Sequence, residues 1–104
     1  MQLARDVRDG WCVVAVRGRA DSETADELED GLRQAIAQHP KVAADFAAVD
    51  YISSAGLRAV LQAARAAEEH NAEFAICQPR PSVKKVFDMS GLDQILQIRG
   101  DLPC

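Results

Sequence analysis

The chain has 104 residues, of which 48% are hydrophobic and 27% charged, and its formal net charge is −4. This length and composition predict a single soluble globular domain with its own core. The negative charge argues against nucleic acid as the main partner. No apolar run approaches the roughly 20 residues that a membrane span requires, and residues 1–6 lack the apolar segment of a signal peptide. We therefore expect a cytoplasmic protein that has no membrane partner.

The first half of the chain is predicted to form a hairpin, a helix and a third strand. The apolar patterns place strands at residues 2–8, 11–16 and 41–46, and a helix from the loop after Ala20 to Gln38. Asp9-Gly10 supplies the two-residue turn of the hairpin. Thr24 and Glu27 have the spacing of a capping box at the start of the helix.

The second half continues the alternation of helices and strands. It predicts a helix at 56–70, a strand at 73–77, a short helix at 81–89 and a last apolar segment at 95–98 that fits either a strand or a helix. The buried stripe of the first of these helices is predicted to be Leu57, Val60, Leu61, Ala64 and Ala67. The element order predicts an α/β domain with a mixed, mostly parallel sheet of four to five strands, an N-terminal hairpin and about four helices.

Residues 49–57 (VDYISSAGL) connect a predicted strand to a predicted helix, and they place Ser53 and Ser54 where the helix begins. The start of a helix has unpaired N–H groups and partial positive charge, so a serine there can cap the helix or carry a phosphate. A phosphate adds about −1.5 to −2 charge, which the fold would tolerate but a partner docked over the loop would not. Because Ala55 and Gly56 are small, a kinase could approach. The residues alone leave a simple cap and a phosphorylation switch both open.

The sequence contains no pattern that predicts an enzyme or a bound cofactor. The glycines form neither a dinucleotide-binding motif nor a P-loop, and no G-x-S-x-G motif is present. His39 and His70 fall at predicted helix ends, and neither is a clear base for Ser54, which argues against a hydrolase. Three aspartates near the loops could form a metal or acid–base cluster, but carboxylates in that position usually cap turns. We predict no metal site from Asp21, Asp45 and Asp50.

The three cysteines, Cys12, Cys77 and Cys104, are widely spaced and form no C-x-x-C pair. This spacing predicts neither a zinc site nor a dithiol motif. Cys12 and Cys77 lie in apolar strand-like runs, so we expect both to be buried thiols.

Three stretches of the chain match sequences typical of one known family: 18–21 (GRAD), 51–57 (YISSAGL) and 81–92 (PSVKKVFDMSGL). With these stretches and the spacing between them, the chain resembles STAS domains, and among them the bacterial anti-sigma-factor antagonists of partner-switching systems. The resemblance covers nearly the whole sequence, so residues 1–104 are expected to form one STAS domain.

The resemblance implies a function. In such systems the unphosphorylated antagonist binds a GHKL-type serine kinase that is also an anti-sigma factor, and the sigma factor is released. The kinase then phosphorylates the antagonist, which ends binding, and a PP2C-type phosphatase resets it. Matching the family's Asp-Ser-(Ser/Thr)-Gly-Leu motif to residues 53–57 puts the phosphoacceptor at Ser54, with Ser53 as the second choice. The resemblance also implies a partner-binding surface made of Asp21, Ser53, Ser54, Ala55, Gly56, Leu57 and Arg58.

The sequence departs from the family motif at two positions. Ser53 stands where the motif has an aspartate, and Ala55 stands where it has a hydroxyl residue. Losing a carboxylate beside Ser54 would ease the accommodation of a phosphate, because it removes a like charge. Some STAS proteins regulate other processes, such as secretion, and others serve transport complexes without phosphorylation. Both roles remain alternatives for this chain.

Overall fold

The computed structural model of the chain describes residues 1–100. This part of the chain contains five strands, three α-helices and one 3₁₀ turn. In chain order the elements are β1 (Gln2–Arg8), β2 (Trp11–Ala20), α1 (Ala25–Gln38), β3 (Lys41–Ile52), α2 (Ser54–Glu69), β4 (Glu73–Cys77), α3 (Pro81–Ser90), the 3₁₀ turn (Leu92–Gln94) and β5 (Gln97–Arg99).

The five strands form one sheet in the order β1-β2-β3-β4-β5. β1 pairs antiparallel with β2 through the turn at Asp9 and Gly10, which both have positive φ, and every other pairing is parallel. The predicted mixed sheet with an N-terminal hairpin is therefore confirmed. The predicted count of about four helices is one too many, because residues 1–100 contain three α-helices and, beside them, only the short 3₁₀ turn. The ambiguous segment at 95–98 contributes to strand β5.

The three α-helices pack on one face of the sheet, and the main core lies between these helices and the sheet. Alternate residues of the central strands point into this core: Cys12, Val14 and Val16 of β2, Val42, Ala44 and Phe46 of β3, and Phe74 and Ile76 of β4. Phe46 meets Phe87 of α3 with 6.0 Å between ring centroids. A smaller cluster around Trp11 lies on the opposite face, where the Lys41 ammonium and the Arg99 guanidinium approach the indole ring.

Helix α2 is buried on a face that differs in part from the predicted one. Val60 and Ala67 are buried as predicted, but the fully buried set also includes Gly56, Ala59, Ala63 and Ala66. Leu57, Leu61 and Ala64 are only partly buried at the edge of the core. Small residues let α2 approach closely, so the largest apolar side chains lie beside the contact and not at its centre.

The cysteine prediction is confirmed for burial but not for chemical state. Cys12 and Cys77 are both buried in the sheet, and Cys12 is a free thiol whose pKa is raised by desolvation, against a smaller opposing effect of the Arg5 charge. Cys77 is disulfide-bonded, so the prediction of a thiol was wrong there. Cys104 lies outside the described residues.

Candidate functional site

The site lies at the C-terminal ends of β2 and β3, which are adjacent parallel strands. The two strands remain paired as far as Ala20 and Ile52. Just beyond this pair, the backbone N–H of Ser53 donates a 2.8 Å hydrogen bond to the carbonyl oxygen of Ala20. The strand ends therefore bring the loop at Asp21 against the loop at Ser53 and Ser54, as parallel strands do at this edge of a sheet.

Asp21 is held in a turn by hydrogen bonds to its own loop. Its carboxylate accepts from the backbone N–H of Glu23 at 3.0 Å, and its backbone N–H donates to the Thr24 hydroxyl at 2.9 Å. That hydroxyl donates to the carbonyl oxygen of Arg19 at 2.6 Å. The predicted capping box is wrong, because the Thr24 side chain makes no hydrogen bond to the first turn of α1.

The pKa of Asp21 is lowered from its ordinary value by these contacts. Desolvation would raise the pKa, but the hydrogen bonds from Glu23 and Thr24, together with the charge of Arg19, outweigh it. The Arg19 Nε lies 3.6 Å from the Asp21 carboxylate. A group whose ionised form accepts several hydrogen bonds stays charged, so this edge of the site carries a fixed negative charge.

Ser53 is the N-cap of α2. Its backbone is extended, and its Oγ accepts a hydrogen bond from the N–H of Gly56 at 3.3 Å. Its carbonyl oxygen accepts the N–H of Leu57 at 2.9 Å and so begins the helix. This arrangement satisfies one of the N–H groups that every helix start leaves unpaired.

Ser54 is the first residue of α2, two positions earlier than the predicted helix start at Gly56. Its side chain is exposed, and within the described residues its hydroxyl makes no hydrogen bond. The N–H groups of Ser54 and Ala55 precede the first intrahelical hydrogen bond and face the end of the helix, where partial positive charge concentrates. The two serines thus differ in role, since Ser53 caps the helix and Ser54 does not.

Gly56 is buried where α2 begins, against the end of β2. A Cβ at this position would stand 2.6 Å from the carbonyl oxygen of Ala20 and 2.9 Å from a side-chain carbon of Ile52. Only glycine permits this approach, which draws the start of α2 onto both strand ends.

A groove of about 440 Å³ runs between the first turns of α1 and α2, beside Ser54. Ser54 and Arg58 line it from α2, one helical turn apart, and Asp26 and Glu29 line it from α1. Of the predicted partner surface, Ser54 and Arg58 are exposed, Asp21, Ser53, Ala55 and Leu57 are half-buried, and Gly56 is buried.

The three aspartates near the loops do not gather into a metal site. The Asp45 carboxylate accepts from the backbone N–H of Ala47 at 3.0 Å, so it caps a turn as Asp21 does. Within residues 1–100, no group of three or more His, Cys, Asp or Glu side chains is placed to hold a metal ion. No helix of that part of the chain is long and apolar enough to cross a membrane.

One pair of residues at this edge was not predicted from the sequence. The Arg19 guanidinium lies over the ring of Tyr51, 4.3 Å from its centroid. A signal for the pair was present, because Tyr51 is a large aromatic residue directly before the serines and Arg19 lies two residues before Asp21. Their register across two strands could not be read from the sequence.

The sequence matches the family model of the STAS domain over residues 2–103. The chain belongs to the STAS domain family. A STAS relative from Bordetella bronchiseptica, BtrV, which is provisionally assigned as an anti-sigma factor antagonist, is 34% identical over 99 residues. The matched region covers 94% of this chain and 85% of BtrV.

Solved structures share the STAS fold of this chain. A provisionally assigned anti-sigma factor antagonist from Thermotoga maritima superposes with a TM-score of 0.87 at 17% identity, over 96% of this chain and 87% of that one. The anti-sigma factor antagonist SpoIIAA in its unphosphorylated form gives a TM-score of 0.74 at 22% identity, over 93% and 87% of the two chains. The phosphorylated form of SpoIIAA, a Bacillus cell fate determinant, gives a TM-score of 0.68 at 24% identity, over 93% of this chain and 88% of that one.

Proposed function

We propose that this STAS domain is an anti-sigma-factor antagonist that is switched by phosphorylation of Ser54. The unphosphorylated form binds an anti-sigma factor that is also a GHKL-type serine kinase, and it releases that kinase's other client. Phosphorylation ends binding, and a PP2C-type phosphatase restores it. The assignment of BtrV and the SpoIIAA structures in two phosphorylation states support this proposal by similarity.

The observation that carries the proposal is that the two serines have different roles, since the side chain of Ser53 caps α2 and that of Ser54 does not. Ser53 accepts the capping hydrogen bond from Gly56, so the start of the helix does not depend on the Ser54 hydroxyl. Ser54 is exposed, lies at the first helical position and makes no side-chain hydrogen bond among the described residues. A kinase can therefore reach its oxygen without breaking an internal contact.

A phosphate on Ser54 would leave the domain folded and still prevent docking. The open N–H groups at the start of α2 and the guanidinium of Arg58, four residues along the helix, favour an anion there. A partner packed over the loop would instead have to desolvate a group carrying about −1.5 to −2 charge. Asp26 and Glu29 across the groove add charge of the same sign.

The remaining parts of the proposal concern what the domain does not do. We propose that it is a binding module and not an enzyme, that it needs no cofactor or metal, and that it acts in the cytoplasm without contacting nucleic acid or membrane. Histidine, the usual general base for a serine nucleophile, is missing from the lining of the groove beside Ser54.

The test measures, by titration calorimetry, the binding of three forms of the chain to its cognate GHKL-type kinase. Wild-type chain and Ser54→Ala are expected to bind, and Ser54→Asp is expected to lose binding. After addition of ATP, wild-type chain should be released and Ser54→Ala should stay bound. Ser82→Asp, at an exposed serine in the first turn of α3, is the control for added charge. Equal binding of Ser54→Asp and Ser54→Ala would refute the switch.

A further inference from the structure

We propose that Arg19 and Tyr51 form a second docking contact, which receives a carboxylate side chain of the partner protein. The inference rests on the proposed function, because it extends the surface used by the same partner. The resemblance to antagonists implies contacts at Asp21 and at residues 53–58, whereas this pair stands on the strands just before them.

Arg19 and Tyr51 are neighbours on adjacent strands and form an exposed stack. They are paired in the register of β2 and β3, and the guanidinium carbon lies 4.3 Å from the ring centroid. The Arg19 side chain is 61% exposed, and Tyr51 is 42% exposed, one of the few large apolar residues on the surface described. Stacking on the ring holds the plane of the guanidinium, so less side-chain freedom is lost when it binds a ligand.

The guanidinium of Arg19 has hydrogen-bonding capacity to spare. Its closest acidic neighbour, the Asp21 carboxylate, is 3.6 Å from Nε, which is too long for a hydrogen bond. Within residues 1–100 none of its N–H groups donates a hydrogen bond to protein. A planar fork of N–H donors that is already oriented binds a carboxylate through two parallel hydrogen bonds. The Asp21 carboxylate already accepts the backbone N–H of Glu23 at 3.0 Å and so does not fill this role.

The stack lies at the same edge of the sheet as the phosphorylation site. Tyr51 precedes Ser53 by two residues, and Arg19 precedes Ala20, whose carbonyl oxygen accepts the N–H of Ser53. Ala20 and Ile52, the next residues along each strand, face the core under the helices, so Arg19 and Tyr51 face the other side of the sheet. A partner that covers Ser54 reaches the stack by extending around this edge of the sheet. Tyrosine and arginine are also the residue types that most often dominate the binding energy of an interface.

This contact also strengthens the effect of phosphorylation. A partner that presents a carboxylate to Arg19 brings negative charge to the edge where Ser54 lies. A phosphate on Ser54 then meets a like charge on the partner in addition to the cost of its own desolvation. Because the Asp21 carboxylate already stands near Arg19, long-range attraction is weak, and the contact acts through direct hydrogen bonds.

The experiment measures the Kd of the chain for its cognate GHKL-type kinase. Arg19→Ala and Tyr51→Ala are each expected to raise the Kd by about tenfold or more. Tyr51→Phe keeps the aromatic ring, so its Kd should stay near that of wild type. Arg19→Lys keeps the charge but loses the planar set of donors, so its Kd should lie between those of wild type and Arg19→Ala. Arg8→Ala is the matched control: Arg8 is an exposed arginine on β1 that pairs, like Arg19, with an aspartate two residues away, at 3.0 Å from Asp6.

The results separate this inference from the proposed function. If Ser54→Asp abolishes binding while Arg19→Ala and Tyr51→Ala both bind within twofold of wild type, the switch stands and the docking contact is refuted. A loss of affinity in Arg8→Ala equal to that in Arg19→Ala would also refute it, because the effect would then be one of net charge. Recovery of the affinity of Arg19→Glu by an Asp→Arg or Glu→Arg change on the kinase would identify the partner carboxylate and confirm the contact. Failure of every such change to restore binding would overturn the carboxylate assignment.

Discussion

Gly56 and Ala20 meet at the point where helix α2 reaches strand β2, and a methyl group on Gly56 would lie 2.6 Å from the Ala20 carbonyl oxygen. The same oxygen accepts the N–H of Ser53 at 2.8 Å. One backbone carbonyl thus receives both the cap residue and the first turn of the helix that presents Ser54. The position of Ser54 depends on this contact.

We expect Gly56→Ala to destabilise the domain by about 1–3 kcal/mol, the usual cost of overpacking a tight contact. Alanine favours a helix by about 1 kcal/mol over glycine, but here the added carbon meets backbone that cannot move aside. Urea unfolding followed by circular dichroism measures the change. Gly31→Ala is the matched control, because its Cβ would meet only the end of the Leu3 side chain, which can rotate away. Equal stability of both variants and wild type would contradict this account of Gly56.

Ser53→Ala should cost about 1 kcal/mol of unfolding free energy through loss of the N-cap, whereas Ser54→Ala should cost much less. The reason is that only the Ser53 hydroxyl accepts an N–H at the start of α2. Thermal and urea unfolding of the two variants provide the comparison. A larger loss in Ser54→Ala would show that the roles of the two serines are reversed.

Incubation with the cognate kinase and ATP should add one phosphate, and peptide mass spectrometry should locate it on Ser54. The far-ultraviolet circular dichroism spectrum should stay unchanged, because the phosphate sits at a helix start that accepts an anion. Ser54→Ala serves as the unlabelled control. Label on Ser53 would move the assignment by one residue, and loss of helical signal on modification would contradict the view that the fold tolerates the charge.

The lowered pKa of Asp21 predicts a contribution to acid stability. Its folded-state pKa lies below the ordinary value of 3.8, so the stabilisation is fully present above that pH and is lost as the pH falls through the folded-state pKa. Asp21→Asn, whose side-chain oxygen can still accept from Glu23, should therefore lose less stability than wild type when the pH is lowered below about 4. Urea unfolding at several pH values, with an NMR titration of the Asp21 carboxyl carbon, measures both quantities. Identical pH dependence would refute the prediction.

The sequence was sufficient to predict the order of the elements, the hairpin turn and the edge of the sheet where the serines lie. It was not sufficient to predict how far β2 and β3 extend. The predicted ends at residues 16 and 46 fall where the pairing of the two strands shifts register, between Ala15 and Arg17. A shift of this kind breaks the period-two pattern from which strands are recognised, although the ladder resumes beyond it.

The predicted capping box failed for a related reason. Thr24 and Glu27 have the right spacing, but the Thr24 hydroxyl is held by its own loop. Its oxygen accepts the backbone N–H of Asp21 at 2.9 Å, and its hydrogen is donated to the carbonyl oxygen of Arg19, contacts that the motif spacing does not show. The stack of Arg19 on Tyr51 escaped prediction in the same way, because it depends on the register of two strands separated by a helix. The hairpin turn, which is set by two adjacent residues, was predictable, whereas contacts that depend on the register of β2 and β3 were not.

The pairing of β2 and β3, which resumes beyond its register shifts and ends at Ala20 and Ile52, has a consequence for the two loops. The two loops that follow both begin at this pair, where the Ser53 N–H donates to the Ala20 carbonyl oxygen, so a change in one loop alters the surroundings of the other. A fluorine-bearing tag attached in place of Ser22, in the loop after β2, would therefore report spectroscopically on phosphorylation of Ser54 after β3. The tag leaves the Ser54 hydroxyl itself untouched.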